Sequence, residues 1–152
     1  MKNAFLISSL LTLSLITQAQ QTSYLNDPYG TFNQAREYFQ KDQYSLAYPL
    51  LKDLEHSLRE SDRSNHALNY QEIRYYSTVC ALKQNEETAP FKAQEFIDLE
   101  DNAPRVQMMS FHLAEYYFRN EEFSKAIDAY EAVNISNLSN EEIADMKFNQ
   151  GY

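Results

Sequence analysis

The sequence predicts an all-α chain built from helix-turn-helix repeats, and three observations predict it. Only 2 glycines and 4 prolines occur among 152 residues, well below the usual ~7% and ~5%. That scarcity excludes glycine-loop nucleotide folds and turn-rich β architectures, which need positive-φ residues at many sites. From residue 28 onward, apolar residues recur every three or four positions, the helical period. One set of intervals then returns. Phe32, Ala35, Tyr38, Ala47, Leu51 and Leu54 are spaced by 3, 3, 9, 4 and 3 residues, and Phe111, Ala114, Tyr117, Ala126, Tyr130 and Val133 repeat those intervals without a gap. Arg74, Ser77, Cys80, Ala89, Ala93 and Phe96 follow the same intervals with weaker residue types, and Phe148 and Gly151 open a fourth copy. Intervals of 3 and 4 keep residues on one helical face. An interval of 9 spans a tight turn and brings two such faces together as an antiparallel hairpin.

In chain order, residues 1–19 read as a secretory signal peptide. Lys2 supplies the positive end, the stretch from Ala4 to Ile16 carries the apolar run, and Thr17-Gln18-Ala19 offers the small residue before the cut. The run falls short of the ~20 residues that cross a bilayer, so an exported chain without direct membrane insertion after signal removal is expected. Residues 20–27 form a polar lead-in, and 28–152 form the repeat domain, cut off in a fourth repeat. Helices are predicted at about 29–41, 44–58, 66–83, 86–98, 104–119, 122–133 and 140–152. Asp42, Asn85 and Asn120 stand before the second helix of each pair as capping residues, and Ser139 with Glu142 forms a capping box for the last helix. Pro104 suits a first helical turn, and Pro49 and Pro90 lie early in theirs. Glu86-Glu87 and Glu121-Glu122 fall where first turns favour negative charge.

The formal net charge of −9 repels phosphate backbones and anionic lipid, so nucleic acid is not an expected partner. The single cysteine, Cys80, lies in the apolar stretch Val79-Cys80-Ala81-Leu82 and reads as a small buried hydrophobe, with no internal disulfide available. His56, His66 and His112 have no histidine three or four residues away, so no metal-ligand spacing is present. His112 and Glu115 share a helix face and read as a solvent-facing pair. No nucleophile elbow, phosphate loop or paired-acid motif occurs. The expectation is a chain that is not an enzyme, with no catalytic residues, cofactor or metal.

The segment Phe111 to Val133, with Leu113, Ala114, Tyr117, Ala126 and Tyr130 in place, resembles the tetratricopeptide repeat family. Ala35, Tyr38 and Ala47 match in the first copy, and Ser77 and Ala89 in the second. The family's early tryptophan is replaced by Thr31, Ile73, Ser110 and Lys147, and its closing proline by Arg59, Asp101 and Leu138. With its signal peptide, the chain resembles the N-terminal part of large exported Bacteroidetes-type proteins of this family. The resemblance implies a superhelical solenoid of about three and a half repeats, with the first helix of each repeat lining a concave protein-binding side. On that side it places Tyr29, Phe32, Phe39, Arg74, Tyr75, Met108, Phe111, Phe118 and Phe148, an aromatic groove for a protein or peptide partner. The implied function is an exported, non-enzymatic scaffold for protein–protein interactions in the bacterial cell envelope. The alternative is the sensory or recruitment front end of a larger envelope enzyme or signalling receptor. Because the fourth copy stops at Gly151, the array is expected to continue beyond Tyr152.

Overall fold

A computed structural model describes residues 27–60 and 70–151. The signal peptide expected at 1–19, most of the expected lead-in, the predicted helix start at 66, and Tyr152 lie outside the described residues. Among the described residues the chain is all-helical: α1 (Pro28–Gln40), α2 (Tyr44–Glu60), α3 (Tyr70–Lys83), α4 (Ala89–Leu99), α5 (Ala103–Arg119), α6 (Phe123–Glu131) and α7 (Asn140–Gly151), with a 3-10 turn at Ile135–Asn137. Each helix from α1 to α6 packs on the next, and α3 also touches both α1 and α5.

Local chemistry sets the boundaries. Asp27 caps α1, its Oδ1 accepting from Gly30 N at 2.9 Å, with Pro28 in the first turn. A Cβ at Gly30 would press on that carboxylate, so a larger residue there would require the Asp27 side chain to shift. Asn102 caps α5 by accepting from Arg105 N at 3.1 Å, with Pro104 in the first turn as expected. The capping box of α7 forms in both directions: Ser139 N donates to Glu142 Oε2 at 2.7 Å, and Glu142 N donates to Ser139 Oγ at 3.2 Å. Pro49 lies inside α2. α4 starts at Ala89, three residues later than the periodicity indicates. Glu86 N is already committed to Ala81 O in the preceding turn (3.0 Å), and Pro90 then takes a first-turn position.

The turns between paired helices close in one way three times. Asp42 N bonds Phe39 O at 3.0 Å and Gln43 N bonds Tyr38 O at 2.9 Å. Asn85 N bonds Leu82 O at 3.1 Å and Glu86 N bonds Ala81 O at 3.0 Å; Glu121 N bonds Phe118 O at 3.0 Å and Glu122 N bonds Tyr117 O at 2.9 Å. These are Schellman closures, with Asp42, Asn85 and Glu121 in the left-handed region at φ 56°, 59° and 61°. Asp42, Asn85 and Asn120 therefore do not cap the following helices, contrary to the sequence expectation. Asp42 and Asn85 end the preceding helix, and Asn120 is the last residue before Glu121 turns left-handed. The acidic pairs also belong to these turns and not to first helical turns. Glu86 accepts from Tyr48 Oη at 2.8 Å, and Glu122 pairs with Lys125.

The same bonds correct the register of the middle repeat. Ala81 accepts where Tyr38 and Tyr117 accept, so Tyr75, Thr78 and Ala81 stand where Phe32, Ala35, Tyr38 and Phe111, Ala114, Tyr117 stand. Ala89, Ala93 and Phe96 remain fully buried on α4, so this hairpin crosses its turn in eight residues instead of nine. One core runs through α1 to α5, around Phe32, Leu51, Ile73, Cys80, Leu82, Phe96 and Met109. A second joins α5, α6 and α7 through Phe111, Ala126, Tyr130 and Met146.

Candidate functional site

With the turns aligned, Tyr29, Glu72 and Met108 occupy equivalent positions on α1, α3 and α5, each three residues before the inward-facing aromatic of its repeat. Between α3 and α5 this face opens into a cleft of about 320 Å³, lined by Glu72, Tyr75, Tyr76, Pro104, Arg105 and Met108. Tyr75 and Tyr76 meet edge to face, with centroids 5.4 Å apart. Burial pushes the Tyr75 phenol well above its ordinary range, with the neighbouring Tyr76 adding to the shift. Behind this lining, Arg105 Nη1 lies 3.5 Å from Glu100 Oε2. The Glu100 side chain is only 7% exposed, and its Oε1 accepts from Asn102 N at 2.9 Å. Glu100 Oε2 and Arg105 Nη1 are buried with no hydrogen-bond partner.

At the other end, polar contacts tie α3 to α5. Lys83 Nζ and His112 Nδ1 both reach Glu115 Oε2, at 2.7 and 3.2 Å. Burial alone would raise the Glu115 pKa, but the His112 hydrogen bond together with the charge and hydrogen bond of Lys83 outweighs it and holds the carboxyl down at about 2. Arg119 Nη2 donates to Leu82 O at 2.7 Å, and Asn85 and Asn120 exchange amide hydrogen bonds at 3.2 and 2.6 Å. His112 and Glu115 are thus an interhelical anchor, largely buried at 11% and 17% exposure, and not the solvent-facing pair that their spacing suggests. Anchored at their C-terminal ends, α3 and α5 leave the cleft between their N-terminal halves.

The nine residues picked from the sequence distribute as follows. Tyr75 and Met108 meet in the cleft. Tyr29 and Phe148 are exposed, at 49% and 69%. Phe32 and Phe111 are buried in the two cores, and Phe111 stacks obliquely on Tyr130 with centroids 6.0 Å apart. Phe39 packs against Tyr44 and Tyr76, and Phe118 against Phe123. Arg74 reaches α4, where it pairs with Glu95 at 3.3 Å and lies over the Phe96 ring. Glu72, Tyr76, Pro104 and Arg105 line the cleft without a signal in the sequence that marks them. The one-residue register shift moves Glu72 into line with Tyr29 and Met108, and Pro104 and Arg105 signal only a helix start in the sequence. Among the described residues no group of three or more His, Cys, Asp or Glu is placed to hold a metal, and no helix is long and apolar enough to cross a membrane. No known family, curated protein or solved structure matches the chain.

Proposed function

We propose that this chain is an exported, non-enzymatic helical-repeat scaffold of tetratricopeptide type, holding a protein partner in the cell envelope on the face formed by α1, α3 and α5. The observation that carries the reading is the triple recurrence of the same turn closure, with α1, α3 and α5 as successive neighbours. Repeated hairpins stacked this way present a continuous surface of first helices, a geometry suited to long polypeptide segments. The cleft adds apolar aromatic walls with a few polar groups, the usual make-up of a recognition surface.

The test is capture by the full chain from an envelope fraction of its native host, with Met108→Glu as the face variant and Phe91→Ala as a control. Phe91 is exposed on α4, away from this face. A partner retained by wild type and by Phe91→Ala but released by Met108→Glu supports the reading; a partner that ignores Met108→Glu refutes this face. Export is read separately, by mass spectrometry of the native protein. A mature N-terminus at Gln20 is expected, and a bulk population retaining Met1–Ala19 would overturn the envelope assignment.

A further inference from the structure

We infer that α7 is a hinged lid on the α5–α6 hairpin: it swings away about Leu138–Ser139 while α1 to α6 stay folded, and so exposes Met146 and the core surface beneath it.

The docking position comes first. With Phe148 in line with Phe111 and Tyr75, Met146 stands where Met109 stands on α5 and Ile73 on α3. Ile73 and Met109 are fully buried and Met146 is 3% exposed. α7 therefore docks on the preceding hairpin through the same position as α3 and α5. The surroundings of that position differ. α3 also buries the run from Ser77 to Leu82, and α5 also buries Ser110, Phe111, Leu113, Ala114 and Tyr116. Among the described residues of α7, Met146 alone is buried.

That contrast sets how firmly each helix is held. Apolar burial stabilises in proportion to the area removed from water, so one methionine anchors α7 far less firmly than the buried rows anchor α3 and α5. A helix of 12 residues is marginal alone in water, where about 12–15 are needed, so α7 relies on this docking. Its capping box, Ser139 with Glu142, lies at α7's own start and ties it to no other helix. Across the contact, Asn149 Nδ2 donates to Tyr130 Oη at 2.9 Å, a neutral hydrogen bond of modest net strength. Met146 is the plug and this bond the latch.

The hinge follows from the connection. The 3-10 turn at Ile135–Asn137 touches α5, and Leu138 packs partly on the second core. Leu138 has an extended backbone, at φ −99° and ψ 149°, and α7 begins two residues later. Rotation there moves α7 and leaves the 3-10 turn and α6 in place. Met146 shares its core with Phe111, Ala114, Ala126 and Tyr130, so opening uncovers Tyr130 and the slot that Met146 filled. Segments with few buried groups open at lower free energy than the whole chain unfolds.

The unmodified full chain carries its own test pair, because Met109 and Met146 hold equivalent positions and are both buried. The folded chain is exposed to dilute hydrogen peroxide, at low conversion and at several urea concentrations below its unfolding transition. Peptide mass spectrometry with fragmentation reads the sulfoxide at each methionine and separates Met108 from Met109. Met146 should oxidise at least roughly a hundredfold faster than Met109. Its rate should hardly change with urea, because local opening exposes little surface, whereas Met109 should follow the steep urea dependence of global unfolding. Asn149→Ala removes the latch and should speed Met146 severalfold while leaving Met109 unchanged; circular dichroism and melting establish that this variant is folded. Met146 as protected as Met109, with the same urea dependence, would overturn the lid and make α7 part of one cooperative unit. A fast Met146 that ignores Asn149→Ala would overturn it too, since peroxide would then reach the thioether without any opening.

Discussion

Glu121 is the residue whose backbone disagrees most with its side chain. It adopts φ 61° at the close of α5, a left-handed conformation that costs a residue with a Cβ roughly 1–2 kcal/mol, and that asparagine, aspartate and glycine adopt more readily. The two equivalent turns use Asp42 and Asn85. The Glu121 side chain is exposed, so replacing it removes little packing. Glu121→Gly should therefore recover the backbone penalty, less the roughly 0.4–1 kcal/mol that a glycine gives up through the freedom of the unfolded chain. The net expectation is a stabilisation of about 0.5–1 kcal/mol, which for a chain of this size raises the melting temperature by roughly 1–4 °C. Glu121→Ala is the control, because it deletes the same side chain and keeps the Cβ, and it should change stability by less than about 0.3 kcal/mol. Urea titrations followed by circular dichroism measure all three proteins. If glycine proves no better than alanine, the left-handed turn does not carry the strain assigned to it.

Three further outcomes follow from the cores and the interhelical anchor. Glu115 has a folded pKa of about 2, below its ordinary 4.5, so its contribution is present above about pH 4.5 and is lost as pH falls toward 2; that limb of the stability–pH curve should flatten in Glu115→Gln. Burial pushes the Cys80 thiol up to about 12, so at pH 8 a disulfide reagent should modify the native chain only at the rate of opening, and the urea-unfolded chain at once; rapid modification of the native protein would place Cys80 at the surface. Phe111 is 2% exposed, so Phe111→Ala should cost ~3–5 kcal/mol in urea unfolding; a loss under about 1 kcal/mol would mean that its ring is not part of the α5–α6–α7 core.

Helix pairs were legible because amphipathic spacing and turn spacing are both local. The set of Phe111, Ala114, Tyr117, Ala126 and Tyr130 states a hairpin in 20 residues, and the structure keeps Phe111, Ala114, Ala126 and Tyr130 buried together. Turn chemistry was half legible. Asparagine and aspartate favour both helix starts and left-handed stops, and only the observed closing bonds show that Asp42 and Asn85 are stops. The register of the middle repeat is ambiguous by one residue in the sequence because Ser77 and Cys80 pack as well as Thr78 and Ala81 do; all four are buried, and α3 lies between neighbours on several sides, so burial there no longer marks a single face. That ambiguity places Arg74 on the open face and leaves out Glu72. The cleft was the least legible part, because it depends on which ends of α3 and α5 are held together. Lys83, Glu115, Asn85 and Asn120 fasten the C-terminal ends and leave the N-terminal halves apart. Contacts between residues 32 and 35 positions apart leave no periodic trace, so Arg105 looked like the first turn of a helix and nothing more.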